Sequence, residues 1–260
     1  MTAENNIKGN ISIRDVKRVF NQGTASELVA LDCLNMEIRS GEFISLIGPS
    51  GCGKSTLLRL ISGLDVADEG NIRLDDQVIS EPHHERGLVF QDPTLFPWLS
   101  VHDNIASGLK ARGVYKQNKA IVNDYINLIG LKGFESAYPH HLSGGMAQRT
   151  SLARSLVNHP KVLLLDEPFG ALDAFTRMQM QDELMQIWQE RGTTMILVTH
   201  DVDEAVYLSD RIVIMTERPG KVEKILEVAI ARPRARNHAD FLSLRVEILE
   251  ILHFAKKTII

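Results

Sequence analysis

An α/β fold with a mainly parallel sheet follows from three features of the sequence. Short apolar runs alternate with longer amphipathic stretches, and the clearest run stops abruptly at a glycine–proline pair. The middle of the chain carries helical spacing with no apolar run of strand type. At 260 residues, 44% hydrophobic and 24% charged, the chain has material for a packed core and the balance of a globular protein.

In chain order, Ile11 to Ile38 reads as meandering strands with polar turns, the expected N-terminal antiparallel β-region. Glu42-Phe43-Ile44-Ser45-Leu46-Ile47 is a buried strand that ends at Gly48-Pro49. Thr56 to Leu64 has leucines and isoleucine at helical spacing, with Gly63 near its end as the stop. Val162 to Leu165 and Met195 to Val198 are further buried strands. Between about Asp92 and Pro160 helical patterns dominate, at Val101–Lys110, Ala120–Ile129 and Gly145–Val157, which predicts an inserted α-helical subdomain. Phe241 to His253 again has helical spacing and is expected to dock back on the core. The expected organisation is one domain, with residues 1–91 and 158–230 as core, 92–157 as the helical part and 231–260 as a helical tail.

Composition excludes several classes of function. A formal net charge of −4 argues against broad nucleic-acid binding, which needs a clustered positive surface. The one basic run, Arg232-Pro233-Arg234-Ala235-Arg236, reads as a solvated surface turn. Cys33 and Cys52 form no CxxC pair, so neither a disulfide framework nor a zinc site organises the chain, and a reducing compartment fits. Met1 to Asn10 is polar, so no secretory signal is expected there. Apolar runs such as Val162-Leu163-Leu164-Leu165 fall far short of the roughly 20 residues of a spanning helix.

The residues after the first buried strand carry the chemistry. Gly48-Pro49-Ser50-Gly51-Cys52-Gly53-Lys54-Ser55 matches G-x-x-x-x-G-K-[ST] between a strand and a helix, which Thr56 continues. Glycines let the backbone N–H groups curl toward phosphate oxygens, and the helix adds the positive end of its dipole. Lys54 is placed for the β- and γ-phosphates, and the Ser55 hydroxyl for Mg²⁺. This predicts a P-loop NTPase core, with kinases, GTPases and motors still open. A second motif, Val162 to Glu167, is an apolar strand ending in two carboxylates. Asp166 at the tip suits Mg²⁺, and Glu167 suits a general base that polarises the attacking water, although strands commonly end in acidic turns. His200, after the third strand, is placed to contact the γ-phosphate or serves structure alone.

Leu142-Ser143-Gly144-Gly145-Met146 opens a helix in the insertion and resembles the signature motif of ABC ATPases. Other landmarks of that family follow in order: Gln91 as Q-loop, Asp166-Glu167 as Walker B, Ala171-Leu172-Asp173 as D-loop and His200 as H-loop. Phe20 matches the aromatic A-loop position that stacks on adenine. Met146 departs from the glutamine of the commonest signature, while the serine and glycines remain. The resemblance implies a RecA-like core, ATP and Mg²⁺ as ligands, and Ser55, Gln91 and Asp166 as metal residues. It also implies a head-to-tail pair sandwiching two ATP molecules, so that Leu142 to Met146 serve the nucleotide of the partner, a second copy or a paralogue.

Within that family, Asp166-Glu167-Pro168-Phe169-Gly170-Ala171-Leu172-Asp173 resembles the importer version of the stretch. Leu88 to Trp98, with its Pro97-Trp98 pair, is similar to the nitrate/sulfonate/taurine importer group, as are Ile214 to Gly220 and Arg232 to Arg234. The resemblance implies a peripheral subunit on the cytoplasmic side of the cell membrane, driving uptake of a small anion such as nitrate, sulfonate or taurine, with bicarbonate or a pyrimidine precursor as alternatives. Phe96-Pro97-Trp98 is expected to meet a permease subunit, with a substrate-binding protein engaged indirectly; the alternative for Trp98 is the core. A soluble, non-transport ABC ATPase is the competing reading, weakened because too few residues separate Gln91 from Leu142 for a coiled-coil arm. A GTPase is disfavoured because Asn118-Lys119-Ala120-Ile121 lacks the aspartate of a guanine reader.

Overall fold

The computed structural model describes residues 9–170 and 172–257. Met1 to Lys8, most of the polar stretch at the start, lie outside the described residues, as do Ala171 and Thr258 to Ile260. The chain forms two compact units, residues 1–82 with 192–260, and residues 83–191. The first opens with strands β1 (Ile11–Phe20), β2 (Leu28–Ile38) and β3 (Phe43–Ile47), helix α1 (Lys54–Ser62), and strands β4 (Glu69–Leu74) and β5 (Gln77–Val78). The second holds β6 (Arg86–Val89), α2 (Val101–Ala111), α3 (Lys119–Leu128), α4 (Gly144–Leu156), β7 (Val162–Asp166) and α5 (Ala174–Arg191). The chain then returns to the first unit with β8 (Thr194–Val198), α6 (Val202–Leu208), β9 (Arg211–Met215), β10 (Val222–Glu227) and α7 (Ala239–Lys257).

In the first unit the meandering strands form an antiparallel sheet of order β2-β1-β4-β5. Alternate residues of β1, Ile11 and Ile13, are buried while Arg14 and Asp15 face water, as a one-sided sheet requires. The parallel part places β3 between β8 and β9, with Leu46 opposite both Val198 and Val213. All residues of β3 and β8 are buried, the signature of strands covered on both faces. β10 adds an antiparallel edge to β9. The tail docks as expected: Phe241 and Ile248 of α7 pack with Val202, Val206 and Leu226.

The basic run is not a solvated turn. Arg234 is only 5% exposed, and its guanidinium donates to the carbonyls of Val206, Tyr207, Ser209, Val228 and Ile230. Burial lowers its pKa to about 10, with Arg232 adding to the fall, so the cation survives at neutral pH because carbonyl dipoles surround it. Arg232 pairs with Asp210, and Arg236 lies over the Tyr207 ring. A run of like charges looks solvated in sequence; here the carbonyls after α6 needed donors.

In the second unit β6 and β7 are parallel, Val89 opposite Leu165. Helices α2, α3 and α4 lie where helical spacing predicts them, each within a residue or so of the expected ends. Their caps set those ends: Ser100 accepts from the Asp103 N–H before α2, and Ser143 from the Met146 N–H before α4. Helix α5 carries no clean apolar stripe, because Gln181 is buried beside Met180 and Leu184, and spacing does not reveal it. No helix among the described residues is long and apolar enough to cross a membrane.

Candidate active site

In the first unit, the buried strand β3 delivers Gly48 at its end and the chain curls through Pro49, Ser50, Gly51, Cys52 and Gly53 into α1. Gly53 caps α1 without a side chain, at φ 104°. A Cβ there would stand 2.7 Å from Leu31 Cδ2 and 2.9 Å from the Ala30 carbonyl oxygen, so the turn admits glycine alone. Lys54 is buried at the centre of this curl, its ammonium donating to the carbonyls of Gly48 at 2.8 Å and Pro49 at 2.9 Å. Ser50, Gly51 and Ser55 are exposed, with Thr56 half-buried behind them. The arrangement is a cation and a helix N-terminus converging on one concave backbone, which suits a polyphosphate.

Two more predicted residues lie in this unit. Phe20 ends β1 opposite Leu28, with the Arg18 guanidinium 4.7 Å from its ring centre. Asp65 and Asp68 hold that guanidinium at 2.9 and 3.0 Å, leaving Phe20 a flat ring on a fixed support. His200 is exposed just after β8, at the same sheet edge as Gly48, because β8 runs parallel to β3. The turn around it is rigid: Thr199 donates to Glu204 at 2.6 Å, and Asp201 caps α6 through the N–H groups of Asp203 and Glu204.

In the second unit the parallel pairing of β6 and β7 puts Gln91 and Glu167 at matching positions beyond the strand ends. They are neighbours around Gly170: a Cβ on that glycine would lie 3.5 Å from the Gln91 amide nitrogen and 3.9 Å from Glu167 Oε2. Asp166 is the last residue of β7, half-buried. Glu167 sits at φ 46°, in the left-handed region that costs a side-chain-bearing residue about 1–3 kcal/mol, a strain that clusters at functional sites.

The signature residues are also gathered here. Leu142 follows a tight 3₁₀ turn at Pro139–His141, and Ser143 then caps α4. Gly144 is exposed with open space where a Cβ would go, and Met146 is half-buried. Gly145 packs against the turn after the D-loop, where a Cβ would come within 2.9 Å of Thr176 Cγ2. Asp173 caps that turn, accepting from the Thr176 hydroxyl at 2.7 Å.

Three positioning residues escaped the sequence reading. Gln148, buried on α4, donates to the Phe90 carbonyl at 3.2 Å, just before Gln91. Arg154, further along α4, donates to the carbonyls of Pro93 and Thr94, and its burial pulls the guanidinium pKa down. Asn104, fully buried, donates to the carbonyls of Phe96, Leu99 and Ser100 and accepts from the Phe96 N–H. Together they fix the Gln91–Ser100 segment, on which Trp98 is 70% exposed with the Phe96 ring tilted beside it, centroids 5.6 Å apart. Trp98 is therefore not core, and no local sequence pattern marks the residues that hold it out.

Divalent metal has a modest protein donor set. No cluster of three or more His, Cys, Asp or Glu side chains suited to a metal occurs among the described residues. The Ser55 hydroxyl and Asp166 carboxylate are hard oxygen donors of the kind Mg²⁺ takes one or two of, filling the rest of its shell with phosphate and water.

A family model described as ABC transporter matches residues 31–170. The chain is 48% identical to the aliphatic sulfonates import ATP-binding protein SsuB of Bacillus cereus, over 92% of this chain and 94% of that one. It is 49% identical to the bicarbonate transport ATP-binding protein CmpC of Synechococcus elongatus, over 95% of this chain but 38% of that longer protein. A solved dimeric ATP-binding cassette in a post-hydrolysis state, bound to ADP and Pi, superposes with a TM-score of 0.75 at 30% identity, over 85% of this chain and all of that one. The α/β core, its antiparallel sheet and its helical region are those of an ATP-binding cassette, and the chain belongs to the ABC transporter family.

Proposed function

We propose that this chain is the ATP-hydrolysing motor subunit of an importer for a small anion. One observation carries the catalytic part: a buried lysine held at the centre of a glycine-hinged loop, at the N-terminus of a helix that has no side-chain cap. In this reading Gly48 to Thr56 bind the nucleotide phosphates, with Lys54 passing its ammonium from loop carbonyls to phosphate oxygens. Phe20, backed by Arg18, carries the adenine. Glu167 polarises the attacking water and takes its proton, while His200 contacts the γ-phosphate and Gln91 senses it. Ser55, Asp166 and Gln91 would hold Mg²⁺, which when bound would neutralise the charge that develops on the phosphates.

The site is completed by a second copy or a paralogue. Ser143, Gly144 and Gly145 present a helix N-terminus but no cation, so they suit an anion already held elsewhere. The head-to-tail arrangement puts Leu142 to Met146 of one chain on the nucleotide of the other, with the D-loop Asp173 beside it; the similarity to a dimeric cassette supports this. Phe96-Pro97-Trp98 docks the permease, and the subunit works at the cytoplasmic face of the membrane, reaching a substrate-binding protein only through that permease. The proposed division into core and helical parts runs at residues 91/92 and 157/158, with 231–260 as the tail; both cuts fall within the second compact unit, residues 83–191. Relatives named for aliphatic sulfonates and for bicarbonate make a sulfonate the leading cargo and bicarbonate the second.

Phosphate release from MgATP by the purified chain, alone and reconstituted with its permease, tests the proposal. Release that rises when cargo and binding protein are supplied supports it. Nucleotide binding with no release in either setting contradicts it, and undiminished cargo uptake in Trp98→Ala removes the docking role of that residue.

A further inference from the structure

Two exposed features flank the proposed composite site. The first lies on α5. The Asp173 carboxylate accepts from the N–H groups of Phe175 and Thr176, both at 3.1 Å, and from the Thr176 hydroxyl. The hydroxyl first, then the N–H groups, hold this carboxyl below its usual range, so it is anionic at neutral pH. The same turn is set against the signature helix through Thr176 and Gly145. From it Phe175 projects with 82% of its surface exposed, more than any other large hydrophobic among the described residues, and Met178 is exposed on the next turn. An aromatic ring held in water on a rigid turn marks a surface that an assembly covers.

The second feature is the segment Thr216 to Gly220 after β9. It is fastened on both sides: the Gly220 N–H donates to the Ala30 carbonyl at 2.9 Å, and the Lys221 N–H to the Thr216 hydroxyl at 3.0 Å. It carries Arg218, whose Nη2 lies 3.7 Å from where a Cβ on Gly51 would stand, beside the phosphate loop. Arg218 is exposed, and among the described residues it makes no hydrogen bond or ion pair.

A guanidinium without an anion, carried on a fastened segment, and a fixed anionic, aromatic turn are complementary partners. Head-to-tail pairing sets the phosphate-loop side of one chain against the signature side of the other, and so brings these two features to one seam. We propose that Arg218 of one copy docks on the Asp173–Phe175 turn of a second copy, its guanidinium over the Phe175 ring and toward the Asp173 carboxylate. The contact rests on the head-to-tail reading and adds to it a grip that touches no nucleotide. It ties closure to the partner's D-loop turn, so that each chain senses the position of the other's D-loop as well as its signature.

The test uses Glu167→Gln as parent and sedimentation in MgATP to measure dimerisation. Phe175→Ala and Arg218→Ala are each expected to weaken the dimer about tenfold, near 1.4 kcal/mol. The double variant should lose no more than the weaker-binding single, while MgATP affinity measured on dilute monomer and the unfolding midpoint stay at parental values. Single variants that dimerise like the parent, or losses that multiply in the double variant, overturn the contact. A loss of monomer MgATP affinity in Arg218→Ala also overturns it, because it places that guanidinium on the phosphates. A parent that binds MgATP and stays monomeric overturns this contact and the head-to-tail reading together, whereas a dimerising parent with indifferent singles overturns the contact alone.

Discussion

The starts of α1 and α4 are two versions of one device, and their differences assign their roles. Helix α1 follows a glycine-bearing loop, α4 opens with Gly144 and Gly145, and both starts carry exposed residues, Ser55 at one and Gly144 at the other. At α1 the cap residue Gly53 has no side chain to spend on the helix, and Lys54 brings a buried positive charge into the loop. At α4 the Ser143 hydroxyl already accepts from the Met146 N–H, and the first turn, Gly144 to Ala147, brings no charge. A cradle with its own cation can bind a polyphosphate by itself; a capped, uncharged helix start can only add to an anion that is already held. In the proposed function the first is the binding site and the second the sensor of its occupancy.

Removing the cation should separate the two most sharply. Lys54→Ala is expected to cost at least about a hundredfold in MgATP affinity, since charge-assisted bonds to phosphate are worth about 1.5–3 kcal/mol each; isothermal titration of the monomer reads it. Glu167→Gln is expected to lower phosphate release by about a thousandfold while nucleotide affinity holds, the range of a lost general base. Wild-type turnover in that variant would remove Glu167 as the base.

Glycine replacements probe the two turns at intermediate size. Gly53→Ala meets Leu31 and the Ala30 carbonyl at an unfavourable φ, and should lose about 2 kcal/mol of stability along with nucleotide binding. Gly145→Ala meets only the tip of Thr176, so monomer nucleotide binding should stay intact while turnover falls about tenfold. Equal loss of monomer binding in both variants would erase the distinction between cradle and sensor.

The smallest effect concerns the far end of α4, where the buried Tyr125 hydroxyl donates to the Leu156 carbonyl at 2.8 Å. Burial raises the Tyr125 pKa to about 12, with Arg191 opposing. The unfolded chain releases this proton near pH 10, before the native state does, so the contribution is complete below pH 10 and drains away between pH 10 and about 12. Tyr125→Phe should therefore show a shallower loss of unfolding midpoint above pH 10 than the wild type, together with a lower midpoint at neutral pH from the lost hydrogen bond.

What could be read from the sequence follows from how local each feature is. The phosphate loop and the signature are contiguous runs whose chemistry needs neighbours in sequence, and both emerge at the expected strand and helix ends. Gln91 and Glu167 are brought together by the pairing of β6 with β7, which family order anticipates but spacing alone does not. Gln148, Arg154 and Asn104 act on carbonyls of distant or irregular segments, so nothing near them in sequence announces the task. Arg234 was misread for the same reason, since its partners are the carbonyls at the end of α6 and after β10.

The claim that one chain's cradle is completed by another chain's sensor is tested most directly by mixing two inactive variants. Lys54→Ala disables the cradle, and Ser143→Arg blocks the sensor. Each alone should release no phosphate. Mixed in equal amounts, half of the dimers pair unlike chains and one of their two sites is intact, so up to about a quarter of wild-type turnover should return. A mixture as inactive as its components would contradict the account, because a site built within one chain cannot be rescued by another.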